Sequence, residues 1–221
     1  MKKAVIVFSG GMDSTTALYQ AKADGFEVYA ISFNYGQKHK KELDYAKKIC
    51  EKENIKHEIV DLSNITKLIS NSALTGDIDV PEGHYKEDNM KLTVVPNRNM
   101  IMGSIAIGYA VNMDAEAVYL GVHGGDHHIY PDCRPQFIEA LNLAGYLGNE
   151  GFCSKKFRVV APFQYIPKDE IVKIGMKLNV PYHLTWSCYK GGEKHCGKCG
   201  TCVERIEAFK LAKIIDPTNY E

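Results

Sequence analysis

Two short stretches bring together residue types and spacings that can do chemistry. Residues 8–18 read FSGGMDSTTAL and follow the apolar run KKAVIVF. Gly10 and Gly11 let backbone N–H groups approach an anion, and Ser9, Ser14 and Thr15 add hydroxyl donors. Asp13 suits either a helix cap or a share in holding Mg²⁺. The lysine of the Gly-Lys-Ser/Thr phosphate loop is missing. A tight strand-to-helix turn with an Asp/Ser cap would use the same glycines, but S-G-G-x-D-S is a far more specific spacing than a glycine pair. The second stretch, CYKGGEKHCGKCGTC, places Cys188, Cys196, Cys199 and Cys202 within fifteen residues. Four thiolates on such spacers can close a tetrahedral Zn²⁺ shell, with Gly197 and Gly200 at the tight turns between ligands. His195 competes as a ligand, yet four sulfurs complete the shell and leave no open position, so the metal is expected to be structural. A Cys₄ iron–sulfur cluster is the alternative.

The elements that must position these residues alternate. Residues 3–8 read as a buried strand, 15–23 as a helix stopped by Gly25, and 27–33 as a second strand. Residues 39–54 form an amphipathic helix with Leu43, Ala46, Ile49 and Cys50 on one face, and 56–62 a third strand. Residues 71–92, with Gly76, Pro81, Gly83 and no periodicity, read as a surface insertion or mobile lid. A helix over 99–113, a strand over 117–122, a helix over 136–147, a strand over 157–163 and a helix over 167–179 follow, and a last helix ends the chain. Strand and helix in alternation imply an α/β, doubly wound parallel sheet, with ligands outside the carboxyl ends of the strands. The expected division is an α/β domain over 1–182 and a small cysteine-bearing, helical region over 183–221.

Composition narrows the function classes. The 221 residues suffice for one such domain with an appendage. Twenty-seven basic residues balance twenty-seven acidic ones, which argues against a nucleic-acid-binding face. No run approaches the roughly 18–20 apolar residues of a membrane span, and the N-terminus lacks the apolar length of a signal peptide. A cytoplasmic location follows, where seven cysteines are expected reduced and four clustered ones point to metal. Cys50 on a buried helix face, Cys153 in a loop and Cys133 without an evident partner give a cysteine nucleophile little support.

The loop SGGMDS resembles the pyrophosphate-binding loop of the PP-loop family, the N-type ATP pyrophosphatases. The resemblance implies a Rossmann-like fold of the adenine nucleotide alpha hydrolase kind. It also implies a loop that grips the β,γ-pyrophosphate of ATP as leaving group while a substrate oxygen attacks the α-phosphorus. It accounts for the missing lysine, because that loop works through backbone and hydroxyl donors. In the segment PFQYIPKDEI the resemblance carries Lys168 over as a pyrophosphate ligand; an ordinary lysine at a helix start is the competing reading.

Further blocks resemble the QueC family of 7-cyano-7-deazaguanine synthases. They are FNYGQKHKKELDYAKKI (33–49), VPNRNMIMGSIAIGYA (95–110), GVHGGDHHIYPDCR (121–134) and TWSCYKGGEKHCGKCGTCVERIEAF (185–209), in order and nearly spanning the chain. Asn97 stands where some relatives carry Gly, and His127 and His128 are less typical. The resemblance implies ATP-dependent conversion of 7-carboxy-7-deazaguanine and ammonia to 7-cyano-7-deazaguanine, by an ATP-dependent C–N ligase that uses Mg²⁺, and a homodimer. Among its site residues, Asp13, Ser14, Lys168 and Arg98 would be catalytic. Phe8, Ser9, Gly10, Gly11, Met12, Asp13, Ser14, Thr15, Thr16, Ala17, Leu18 and Gly121 would line the ATP site, with Ser32 and Phe33 flanking adenine. Arg98 would meet phosphates or the substrate carboxylate, an ordinary ion-pair role being the alternative. His123, Asp126, Tyr130 and Asp132 would face the substrate, an acidic side chain accepting from the N1 and N2 edge of a guanine-like base. His123 and Asp126 could instead form a metal or proton-handling pair, and Tyr35, Gln37 and His39 could hold substrate or simply start a helix. A PP-loop tRNA-modifying enzyme, or a zinc-stabilised nucleotide-binding module without turnover, are the other readings.

Overall fold

The apolar run KAVIV forms β1 (Lys3–Val7), whose side chains alternate between two cores as a strand requires. Val5 enters one cluster with Val118, Met102 and Leu141, while Ala4 and Ile6 enter another with Leu18, Ala46 and Ile171. A strand covered on both faces needs a near-continuous apolar sequence, and β1 has one. The computed structural model describes residues 1–221, Thr66 by its backbone alone.

Among the described residues, β1 is followed by α1 (Met12–Ala23), β2 (Glu27–Asn34), α2 (Lys41–Glu53), β3 (His57–Asp61) and the short α3 (Ser63–Thr66). The second half holds α4 (Arg98–Asn112), β4 (Ala117–Tyr119), α5 (Pro135–Leu147), β5 (Arg158–Val160), α6 (Lys168–Lys177) and α7 (Gly200–Ala212). The strands form one parallel sheet in the order β3-β2-β1-β4-β5. The order reverses between β1 and β4, so the connections after those two strands diverge and open a crevice at their carboxyl ends. The Ser9–Ser14 loop follows β1 and the Gly121–Asp126 loop follows β4, so both border that crevice.

Several local outcomes differ from the sequence expectation, among them β4, which ends at Tyr119 rather than at residue 122. Helix α1 begins at Met12 rather than residue 15, because Gly11 already stands as its extended N-cap, and Asp13 and Ser14 thus lie in its first turn. Strand β5 stops at Val160 rather than running to 163, since Pro162 has no N–H to give the ladder. Residues 71–92 are not a surface excursion throughout. Ser72, Ala73 and Leu74 are fully buried, Ala73 N–H donates to the Leu92 carbonyl (2.7 Å), and Lys38 N–H donates to that of Leu74 (3.0 Å).

Asn97, the N-cap of α4, sits in the left-handed region at φ 59°. Asn and Gly tolerate that region and branched side chains do not. Asn97→Val is expected to lower unfolding stability by about 1–2 kcal/mol, while Asn97→Gly leaves it nearly unchanged; urea denaturation of the pair measures this.

The C-terminal region docks onto the α/β body. Phe209 of α7 packs with Met12, Val172 and Tyr182. The fully buried Arg205 donates to Thr185 Oγ1 (2.7 Å), the Tyr182 carbonyl (3.0 Å) and Asp216 Oδ1 (3.1 Å), which fixes α7 against the segment before the cysteines. Among the described residues no helix is long and apolar enough to cross a membrane.

Candidate active site

The crevice at the carboxyl ends of β1 and β4 holds a cavity of about 250 Å³. At one end lies the loop. Ser9 Oγ and Ser14 Oγ are 3.1 Å apart, Ser14 Oγ and Thr15 Oγ1 donate to the Gly11 carbonyl (3.3 and 2.7 Å), and Gly11 N–H donates to Ser9 Oγ (3.3 Å). No side chain among the described residues caps α1, so its first N–H groups remain available to an anion. Gly121 faces this turn at close range. A Cβ there would come within 2.8 Å of the Ser14 nitrogen, which requires glycine at the end of the fourth strand's run.

Lys168, at the first turn of α6, reaches the same end. Its largely buried ammonium lies 3.0 Å from Asp13 Oδ2 and 2.5 Å from Glu204 Oε2. Burial alone would lower its pKa, but Asp13, Glu204 and Asp126 outweigh that and hold it above the ordinary lysine value. His123 Nδ1 accepts from Gly125 N–H (3.0 Å), which puts the proton of a neutral ring on Nε2. That nitrogen lies 3.6 Å from Asp126 Oδ1 and 3.7 Å from Glu204 Oε1. Among the described residues, His123 Nε2 and Asp13 Oδ1 are buried with no hydrogen-bond partner. Unsatisfied polar atoms around one ammonium leave bonding capacity that a ligand, ion or water can complete.

The other end is aromatic. Arg98, the first residue of α4, sits among Tyr35, Tyr130 and Tyr189, which line the cavity with it. Its partial burial disfavours the charge, yet those tyrosines and Asp132 overcome this and keep the guanidinium protonated. Burial pushes the Tyr35 phenol up to about 12, so it stays a neutral donor or acceptor. Tyr130 and Thr93 share a hydrogen bond of 2.6 Å.

Many of the residues expected from sequence therefore meet in one cavity: Phe8, Ser9, Gly11, Asp13, Ser14, Phe33, Arg98, Gly121, Asp126, Tyr130 and Lys168 line it. Others shape it from behind. Met12, Thr15, Thr16, Ala17 and Leu18 are buried in α1, and Thr16 Oγ1 bonds the Met12 carbonyl (2.7 Å) and the Tyr182 hydroxyl (2.9 Å). Gly10, at φ 76°, allows the backbone of α2 to approach; a Cβ would come within 2.6 Å of the Glu42 carbonyl. Ser32 is fully buried and its hydroxyl serves the Phe8 carbonyl and His57. Asp132 Oδ2 accepts from Asn99 N–H (3.0 Å) at the start of α4, and His123 is buried beside the cavity.

Glu204 and Glu42 also line the cavity, and neither is among the site residues expected from the sequence. Glu204 lies two residues past Cys202 on α7, and only the docking of α7 on α6 brings it to Lys168. Glu42 did leave a signal, because a glutamate interrupts the buried stripe of Ala46, Ile49 and Cys50 at helical spacing.

The four cysteines form a separate, buried centre. Their sulfurs all lie within 4.8 Å of one another, with Cys196 and Cys202 Sγ at 4.0 Å. A tetrahedral shell with bonds of about 2.3 Å sets sulfurs about 3.8 Å apart, so the cluster fits a metal of that kind. Cys199 and Lys198 N–H groups donate to Cys196 Sγ (3.3 and 3.4 Å), as suits a thiolate ligand. His195 Nε2 accepts from Ser187 N–H (3.0 Å), which occupies it elsewhere. The Cys50 thiol is pushed by burial up to about 12, and burial likewise raises that of Cys133, so neither is a ready nucleophile.

The profile of the family described as queuosine biosynthesis protein QueC matches residues 3–213. A 7-cyano-7-deazaguanine synthase of Marinomonas sp. (strain MWYL1) is 54% identical over 220 residues, covering 100% of this chain and 99% of that one. Another, of Hahella chejuensis (strain KCTC 2396), is 56% identical over 219 residues, covering 99% and 93%. Among solved structures, an NH3-dependent NAD synthetase from Campylobacter jejuni subsp. jejuni NCTC 11168 in complex with the nitrate ion superposes with a TM-score of 0.51 at 17% identity, over 82% of this chain and 66% of that one. At that identity the likeness speaks for the fold alone.

Proposed function

The chain belongs to the queuosine biosynthesis protein QueC family, and from that premise we propose how its residues make 7-cyano-7-deazaguanine (preQ0) from 7-carboxy-7-deazaguanine and ammonia, with ATP as the driving reagent. A carboxylate is a poor electrophile because oxide is a poor leaving group. Transfer of AMP to one oxygen gives an acyl adenylate that ammonia can attack, and a second transfer to the amide oxygen allows that oxygen to leave with AMP and the nitrile to form.

The observation that carries this reading is one cavity with two unlike ends. The Ser9–Ser14 loop and Lys168 suit a departing pyrophosphate, and Arg98 among three tyrosines suits a planar base with a carboxylate. An oxygen held between them stands in line with the α-phosphorus in either half of the reaction. Asp13, with its unpartnered buried Oδ1, and Glu204 would hold Mg²⁺, which would neutralise phosphate charge when bound. Cys188, Cys196, Cys199 and Cys202 would hold a structural Zn²⁺. Phe33 would flank adenine, and Asp126 and Tyr130 would meet the deazapurine. The same reading includes free ammonia as second substrate, ligase chemistry that releases AMP and pyrophosphate, a cytoplasmic location and a homodimer.

Purified protein incubated with 7-carboxy-7-deazaguanine, ATP, Mg²⁺ and ammonium chloride is expected to yield the nitrile by mass spectrometry. Absence of any ATP-dependent product from the acid would overturn the reading.

A further inference from the structure

Glu42 takes no part in the arrangement around Lys168, and its setting fits a different task. It stands on the first turn of α2, buried on the stripe that continues through Ala46, Ile49 and Cys50, and it lines the cavity. A buried carboxylate is costly unless its oxygens are engaged. Gln37 Nε2 donates to Oε1 at 2.9 Å, and His39 Nε2 lies 3.5 Å from Oε2. The titratable and charged groups facing it are Tyr35 and His39 from the segment leading into α2 and Arg98 from α4. His39 Nδ1 is buried with no hydrogen-bond partner among the described residues, so polar capacity at this end is left for a ligand. Of the other lining carboxylates, Asp13 and Glu204 contact Lys168 directly, and the charge of Asp126 is felt by both Lys168 and Tyr130.

The reaction supplies the need. Ammonia enters with three N–H bonds and the nitrile nitrogen leaves with none, so every proton must be taken from the same nitrogen, bonded to the carbon that Arg98 would orient. We propose that Glu42 is the base that takes these protons, its carboxylate positioned by Gln37. This inference rests on the function proposed above.

In amide formation the lone pair of ammonia forms the C–N bond and the C=O π pair moves onto oxygen. Glu42 takes one proton from the nitrogen, and collapse restores C=O as AMP leaves with the C–O bonding pair. In the second half the amide oxygen bonds to the α-phosphorus of ATP and pyrophosphate leaves. An N–H proton passes to Glu42 as the C=N bond forms. Loss of the last N–H proton to Glu42 supplies the third C–N bond while the C–O bond to AMP breaks. Glu42 returns each proton to solvent between steps.

Burial pushes the Glu42 carboxyl up to about 7, against the hydrogen bond from Gln37 and the charge of Arg98, which pull it down. A base with that value is both ionised and effective near neutral pH. Activation of the acid itself needs no base, because the carboxylate is already ionised, and this separates a base from a structural residue.

The test is Glu42→Gln in the full chain, with its metals. Without ammonia, E42Q is expected still to exchange labelled pyrophosphate into ATP in a carboxylate-dependent way, which also shows that it folds. Its amide and nitrile formation are expected to fall about 10²–10⁴-fold. Starting from the 7-carboxamide, wild-type turnover should rise with pH through about 7, where the base form appears, and E42Q should lack that rise. Amide and nitrile formation by E42Q within about threefold of wild type would overturn the inference. So would exchange that falls in parallel with them, since that marks a structural role. A wild type that performs neither exchange nor nitrile formation would instead count against the proposed function.

Discussion

Lys168→Met should reduce nitrile formation by about 10²–10³-fold, with most of the loss in kcat. The leaving pyrophosphate gains charge as its bond to the α-phosphorus breaks, and a cation fixed beforehand at that place stabilises the transition state more than the ground state. Lys168 is so fixed, being held 3.0 Å from Asp13 and 2.5 Å from Glu204, and both neighbours raise its pKa against the opposing effect of burial. The substitution also leaves two part-buried carboxylates without their cation. Breaking such a pair costs about 3–5 kcal/mol of stability, so thermal unfolding should drop as well. The double variant Lys168→Met/Glu204→Gln, which removes one stranded charge, should regain stability without regaining turnover. Steady-state kinetics alongside thermal melts measure both effects. A kcat for Lys168→Met within about threefold of wild type would remove this lysine from the chemistry.

Cys199→Ser should lose the metal and, with it, activity. Apparent binding energies of structural zinc in small domains run to about 10–16 kcal/mol, and that energy is folding energy. Cys199 is also the N-cap of α7 and Cys202 lies in its first turn, so two of the four sulfurs fix where this helix begins. Helix α7 carries Glu204 to Lys168 and Arg205 to Tyr182, Thr185 and Asp216. Losing one thiolate should therefore lower the melting temperature and also loosen the pyrophosphate end of the cavity. Elemental analysis is expected to find one metal ion per wild-type chain and well under that in the variant. Full metal content in Cys199→Ser would contradict a four-cysteine centre.

Much of this arrangement was legible in the residues. The run KAVIV, buried on both faces, and the alternation after it dictate a parallel sheet, and the sheet order puts SGGMDS at its switch point. Four cysteines on short spacers needed no structure to suggest a metal. What stayed hidden depends on contacts between distant parts of the chain. Glu204 reaches Lys168 only because α6 and α7 lie side by side, and full burial of Arg205 depends on Asp216 pairing with it from beyond the end of α7. Residues 71–92 lack periodicity because they run through turns into a 3₁₀-helix (Asp88–Thr93), yet Ser72, Ala73 and Leu74 fill the interior. Ser32 sits where an adenine contact was expected, but in a strand neighbouring side chains face opposite ways, and only Phe33 turns to the cavity. Glu42 was the most readable of the omissions, a charge placed where the apolar stripe of α2 called for a hydrophobe.

Both oxygens of the acid are expected to leave on AMP. Acid labelled with ¹⁸O in both carboxylate positions, incubated with ATP, Mg²⁺ and ammonium chloride, tests it in one mass spectrum. Expected are unlabelled pyrophosphate, a label-free nitrile, and one ¹⁸O in each of the two AMP molecules formed per nitrile. Label appearing in inorganic phosphate, with ADP as the nucleotide product, would contradict it.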